Sequence, residues 1–160
     1  MHAFDASSLI HAWDNYPLGK FPPLWNWIAD QIQTGTFVVS EVAFQEVHNK
    51  APECAGWLSE QGIHRLPLSN EILQEAMRIK GMLGIVDDNY HSKGVGENDL
   101  LIIATSKIHG LPLVSDEGKQ LRIPDVLPKC KIPTVCAFAG VNVHCIKFIE
   151  LIKASDEVFH

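Results

Sequence analysis

Phe37-Val38-Val39 is apolar at three successive positions, and Leu113-Val114 shows the same habit late in the chain. A strand with one face in water alternates apolar and polar residues, whereas a strand apolar throughout is covered on both faces, as in a parallel sheet flanked by helices. Segments of helical periodicity separate these runs. Residues 2–5 form a brief strand candidate ending on Asp5, and Ser7 to Trp13 reads as a short helix that Ser7 or Ser8 can cap. Leu24, Trp27, Ile28 and Ile32 recur at helical spacing up to Gly35. Ser40 can cap a helix carrying Val42, Ala43, Glu46 and Val47, and Pro52 opens a further helical stretch to about Gln61.

Leu66-Pro67-Leu68 is a weak third strand, because proline cannot donate to a ladder. Asn70 is the expected cap of a long helix with the stripe Leu73, Ala76, Met77, Lys80 (stem only) and Leu83. Residues 87–96 are polar and glycine-flanked, hence a loop, and Asp99 to Ile108 reads as a buried helix. Leu113 to Ser115 is a strand, Thr134 to Ala139 a helix, Val141 to Cys145 a strand and Ile146 to Lys153 a closing helix. Strand–helix alternation of this kind predicts one α/β domain over residues 1–160 with a largely parallel sheet.

Composition narrows the function. A chain of 160 residues that is 46% hydrophobic can build a full core without a disulfide or a structural metal. Cys54, Cys130, Cys136 and Cys145 make no C-x-x-C pair, so free thiols are expected; Cys130, Cys136 and His144 fit no common zinc spacing. The N-terminus has neither a basic nor an apolar signal region, and the run Leu100 to Ala104 is too short to span a bilayer, so the expectation is a cytoplasmic protein with no membrane role. The formal charge of −6 is the wrong sign for a plain basic nucleic-acid binder. Any nucleic acid is then met by a local patch or through bound cations. Residues 1–106 carry six Lys/Arg against thirteen Asp/Glu, a balance of −7. Residues 107–153 carry seven against four, or +3, with Lys119, Arg122, Lys129 and Lys131 placed to track a phosphate backbone or merely to solvate a loop.

Acids directly after apolar strands stand out. In open α/β sheets the carboxyl ends of the strands line the binding crevice, so Asp5 and the pair Asp116-Glu117 are candidates to share one site. For Asp5 a turn or cap is the plainer use, and Asp99, at a helix start, is suited to the dipole. Asp99 nevertheless precedes a nearly all-apolar helix, which puts it at the mouth of the core. Glu46 is a surface residue by default, with Glu41 as its competitor. Four carboxylates in one crevice persist only if protonated, paired or filled by a divalent cation, and hard oxygen ligands favour Mg²⁺ or Mn²⁺. Two such ions can clamp a phosphodiester between attacking and leaving oxygens.

These residues resemble a PIN domain, the metal-dependent nuclease fold of VapC-like ribonuclease toxins. Asp5-Ala6-Ser7-Ser8-Leu9-Ile10 is similar to the family's D-x-S/N-x-L-I opening, and Glu46 sits where its second acid lies, on the helix after the second strand. Asp99-Leu100-Leu101-Ile102-Ile103-Ala104-Thr105-Ser106 resembles D-x-x-I-x-A-x-A, and Leu113-Val114-Ser115-Asp116-Glu117 resembles L-V-T-x-D with Glu in place of the last Asp. The resemblance spans nearly the whole chain, and the segments Tyr16–Trp27 and Ile132–Cys136 are similar to one poorly characterised PIN-like branch. It implies a three-layer α/β/α sandwich with a central parallel sheet of order 3-2-1-4-5. It further implies Mg²⁺ or Mn²⁺ held by Asp5, Asp99, Glu46 and Glu117, with Ser7 and Ser115 supporting the carboxylates and Asp116 as the alternative last acid. RNA cleaved to a 5′-phosphate and a 3′-hydroxyl, and a cognate antitoxin partner, follow from the same resemblance. Trp13, Tyr16, Phe21, Trp25 and Trp27 are expected in the core or on a homodimer surface rather than stacked on bases. The competing readings are a PIN-like interaction module without useful catalysis and, last, a phosphatase using Asp5 as phospho-acceptor, which lacks the usual D-x-D.

Overall fold

The computed structural model describes residues 1–160. Five strands form one parallel sheet: β1 (His2–Phe4), β2 (Phe37–Ser40), β3 (His64–Leu66), β4 (Leu113–Val114) and β5 (Cys145–Ile146), in the order β3-β2-β1-β4-β5. That is the expected 3-2-1-4-5 order. Val38 and Val39 point to opposite faces and both have 0% exposure, so helices cover both sides. The helices are α1 (Ala6–Asn15), α2 (Pro22–Gln33), α3 (Glu41–Lys50), α4 (Pro52–Glu60), α5 (Asn70–Met82), α6 (Glu97–His109), α7 (Ile132–Ala137) and α8 (Phe148–Ala154). The result is a three-layer α/β domain in which the chain reverses direction across the sheet between β1 and β4. At such a switch point a crevice opens beyond the strand ends.

Several local expectations shift, each for a visible reason. Helix α1 begins at Ala6, and neither Ser7 nor Ser8 caps it; Ser8 Oγ lies within hydrogen-bond reach of the Asp5 and Val114 carbonyls, at 2.7 and 3.0 Å. Ser40 caps α3 as expected, accepting from the Ala43 N–H. Ser69 rather than Asn70 caps α5, accepting from Ile72 N–H, and its buried stripe runs through Ile72, Ala76 and Ile79 to Leu83. Leu73 and Met77 face outward instead. Strand β3 ends at Leu66, immediately before Pro67, so the third strand lies two residues earlier than expected. Strand β5 begins only at Cys145 because Val141 and Val143 give their N–H groups to Phe138 and Cys136 around α7.

Of the aromatic residues near the N-terminus, Trp25 and Trp27 are buried in the core, Trp13 and Tyr16 are half-buried against it, and Phe21 is exposed. Trp13, Trp25 and Trp57 meet edge to face or tilted at 5.0–6.4 Å, and Trp25 Nε1–H donates to the Tyr16 carbonyl. All four cysteines are free; burial pushes the Cys54 thiol up to about 12, which leaves it without nucleophilic character at neutral pH. No helix is long and apolar enough to cross a membrane.

Candidate metal and nucleic-acid site

Asp5 follows β1 directly, and its backbone N–H closes the ladder onto the Val114 carbonyl of β4. Its backbone is extended (φ −75°, ψ 154°), which places it at the N-cap of α1, yet its carboxylate makes no cap bond. The carboxylate is instead 2% exposed and takes two hydroxyl hydrogen bonds on Oδ2, from Ser7 at 2.6 Å and Ser115 at 2.9 Å. Both hydroxyls also accept backbone amides from the next turn: Asp116 N–H reaches Ser7 Oγ and Glu117 N–H reaches Ser115 Oγ. Two serines thereby tie the chain after β4 to the acid after β1.

Asp5 lines a cleft of about 650 Å³ whose wall also holds Glu46 from α3, Asp99 from α6 and Glu117 beyond β4. The four expected acids are thus brought to one place. Asp99 sits in the first turn of α6, where Oδ2 accepts the Gly96 N–H at 2.8 Å, so it is both a terminal acceptor for the helix and a wall of the cleft. Glu117 Oε2 accepts the Ile132 N–H of α7 at 3.1 Å. Asp116 turns the other way. Its Oδ1 accepts the Phe148 N–H that opens α8, its Oδ2 lies 3.5 Å from His11 Nδ1, and it is absent from the acidic wall.

Electrostatics follow from this crowding. Burial is the main cause pushing the Asp5, Glu46, Asp99 and Glu117 carboxyls above their ordinary values. The charge of Asp5 raises the other three further, and Asp99 adds to the rise at Glu46 and Glu117. Lys50, at the last position of α3, counters the rise at Glu46 and Asp99, and Lys131 does so at Glu117. The donor set is all oxygen, partly desolvated and mutually repelling, which suits a hard divalent cation. No three His, Cys, Asp or Glu side chains close on a single point, so the acids line the cleft without forming a finished cage.

The basic block does not stay together. Lys129 and Lys131 line a second hollow that shares His11 and Glu117 with the acidic cleft. Lys119 pairs with Glu150 at 2.8 Å and, with Arg122, faces a different hollow. Glu41, the sequence competitor of Glu46, is held by Arg65 outside the cleft. Sequence reasoning misses two cations, Lys50 in the acidic cleft and Lys93 in the second hollow. Lys50 has a signal in helical spacing, since it lies four residues beyond Glu46 on the same helix. Lys93 carries no such signal.

A family model described as a domain of unknown function (DUF4411) matches residues 2–159. The chain belongs to the DUF4411 family. Among solved structures, this DUF4411 chain is similar to VapBC2 from Rickettsia felis, crystallised bound to a DNA fragment from its promoter, at 13% identity and a TM-score of 0.57. The match covers 92% of this chain and 98% of that one, and at this identity it is a likeness of fold, PIN-like in its sheet order. No curated protein matches the DUF4411 chain in sequence.

Two outcomes follow from the geometry. If the cleft takes Mn²⁺, Glu117→Gln should weaken its binding by about tenfold or more in titration calorimetry, while Asp116→Asn, which keeps an acceptor for Phe148 N–H, leaves it near the parent's; the reverse order moves the last acid to Asp116. The second outcome concerns pH. A carboxyl whose folded pKa is raised stabilises the fold below the ordinary carboxylate range, and that contribution is lost as pH climbs through the folded value. In EDTA, Glu46→Gln should therefore melt above the parent at pH 7, and the gap should close as pH falls towards 4. A gap that is constant with pH would mean Glu46 titrates as a surface acid.

Proposed function

We propose that this chain is a metal-dependent ribonuclease that hydrolyses RNA phosphodiester bonds in the acidic cleft, and that it is the toxin half of a toxin–antitoxin pair acting in the cytoplasm. The observation that carries the reading is the convergence of Asp5, Glu46, Asp99 and Glu117 on one cleft beyond the carboxyl ends of β1 and β4. Those four side chains would hold Mg²⁺ or Mn²⁺. When bound, such ions polarise the phosphodiester and make water a nucleophile at neutral pH. The chain's own contribution is positional. Ser7 and Ser115 hold the Asp5 carboxylate in one orientation, and their links to the amides of residues 116 and 117 keep Glu117 in register with it. Lys50 and Lys131 offset part of the negative charge, the first at Glu46 and Asp99 and the second at Glu117. The PIN-like fold shared with the VapBC2 toxin–antitoxin assembly supports an antitoxin protein as partner, and the cationic side chains beyond Glu117 support RNA as substrate.

A second reading, a PIN-like module that binds partners without useful catalysis, draws on the open spacing of the acids and on the hydrogen bond that engages Glu117 with α7. One experiment separates the two. With all four acids ionised and no cation, the cleft repels phosphate. Filter binding and gel analysis of total RNA at fixed ionic strength should show capture and cutting in Mn²⁺ and neither in EDTA. Equal RNA affinity in both buffers with no cutting in either would favour the interaction module.

A further inference from the structure

The hollow beside the acidic cleft has its own construction. It measures about 640 Å³, none of its lining residues is hydrophobic, and its cations are Lys93, Lys129 and Lys131, with His11 on the rim it shares with the acids. None of the three lysines has a carboxylate within 4.0 Å, whereas Lys119, a few residues earlier, is taken up by Glu150. The two acids that do border the hollow, Asp116 and Glu117, each accept a backbone N–H, from Phe148 and from Ile132, and Lys131 partly offsets the Glu117 charge without an ion-pair contact.

The hollow is braced rather than left to mobile side chains. Gln120 donates to the Lys129 carbonyl and accepts from the Lys131 N–H and the Thr134 hydroxyl, so one side chain fixes the backbone on both sides of Cys130. Across the hollow, Val95 N–H donates to the Cys130 carbonyl, and Gly94 lies against the Pro128 carbonyl. Lys93 is thereby carried on a segment fastened to the one that bears Lys129 and Lys131.

We propose that this hollow is a second subsite, one that takes a backbone phosphate of the substrate strand next to the phosphodiester held in the acidic cleft. The proposal rests on the ribonuclease reading and adds how the strand is held. Bases are held by stacking on aromatic or apolar side chains, and this hollow has no Phe, Tyr or Trp, only the His11 ring on its rim and Pro124, against three lysines. Unpaired ammonium groups on a braced backbone hold phosphate, and phosphate contacts position a strand without reading its sequence. His11 and Glu117 border both hollows, so a strand can pass from one to the other along a common rim. The subsite is therefore indifferent to base identity, and any sequence preference arises elsewhere on the molecule.

The test uses the full chain carrying Asp5→Asn/Asp99→Asn, in EDTA, so that neither metal nor turnover enters. Fluorescence anisotropy reads the affinity of a uridine pentanucleotide and of an abasic strand of equal length across a salt series. Adding Lys129→Gln/Lys131→Gln should weaken both strands by about tenfold and flatten the slope of log affinity against log salt by roughly 0.7 for each phosphate no longer neutralised. Adding Lys119→Gln/Arg122→Gln instead should change affinity by less than about twofold. Unchanged affinity and slope after the first pair, or a loss confined to the strand with bases, overturns the proposal. A glutamate decapeptide that binds more tightly than the abasic strand, and is released by the same lysine changes, overturns it in favour of an acidic protein segment. Because no metal is present, failure here leaves the ribonuclease reading intact, and loss of metal-dependent cutting in the parent would leave these slopes unchanged.

Discussion

If the acidic cleft is the nuclease site proposed above, Asp99→Asn should abolish RNA cleavage and leave the chain folded, with a melting temperature equal to the parent's or higher. The loss should exceed the 10–100-fold typical of removing an outer partner of a metal ligand, since Asp99 itself borders the cleft. Stability should not fall, because the substitution keeps an oxygen for the Gly96 N–H while removing a charge that Asp5, Glu46 and Glu117 all oppose. The two readouts answer different questions. A variant that cuts RNA as the parent does sinks the four-carboxylate site. A variant that is inactive because it melts far below the parent shows Asp99 to be chiefly a helix-terminal residue. The measurements are a gel assay in Mn²⁺ and a thermal melt in EDTA.

The position of Asp99 illustrates what the sequence discloses and what it withholds. An acid ahead of an apolar helix and acids just past apolar strands are local patterns, and parallel-sheet geometry converts them into neighbours: residue 5 and residue 115 meet because β1 pairs with β4. Glu46 joins them because α3 leaves β2 on the other side of β1. The division of labour between Asp116 and Glu117 is not a local pattern. It depends on which helix start lies within reach, Phe148 for one and Ile132 for the other, and both helices lie beyond a long irregular segment. Strand ends are set by the same kind of competition. Val141 and Val143 have the β-branched character of a strand, but the turn after α7 claims their amides first. On α5, Met77 and Ile79 are both apolar and two stripes of helical spacing compete; the helix packs against α6 with Ile79 inside at 0% exposure and Met77 72% exposed. The basic block is continuous in sequence, yet Lys119 and Arg122 lead to one hollow and Lys129 and Lys131 to another. Charge counts along a chain report composition of a region, not the face on which each cation emerges.

Gly94→Ala should be the most damaging small substitution in the chain. A Cβ at Gly94 would lie 1.8 Å from the Pro128 carbonyl oxygen and 2.8–2.9 Å from the carbonyl carbons of Pro128 and Lys129. Backbone atoms cannot swing aside as the end of a side chain can, so the segment around residue 94 must separate from the segment around residue 128. That separation pulls on the Val95 N–H bond to the Cys130 carbonyl, and Cys130 is buried in the core. Overpacking of this kind costs about 3 kcal/mol, which for a chain of this size lowers the melting temperature by roughly 6–12 °C. Gly81→Ala is the internal control: it lies in the α5 helix with nothing within 4 Å of the new methyl group, and it should stabilise by roughly 0.5–1 kcal/mol. The functional consequence is specific, because the two segments that part are those bearing Lys93 and Lys129, while Asp5, Ser7 and Ser115 stay tied to one another across β1 and β4. At a temperature where the variant is still folded, RNA affinity and its salt dependence should fall while Mn²⁺ binding stays within about threefold of the parent's, a difference under 1 kcal/mol. A Gly94→Ala chain that melts with the parent and binds RNA equally well would show that the two segments give way freely, and that the cationic hollow does not depend on their packing together.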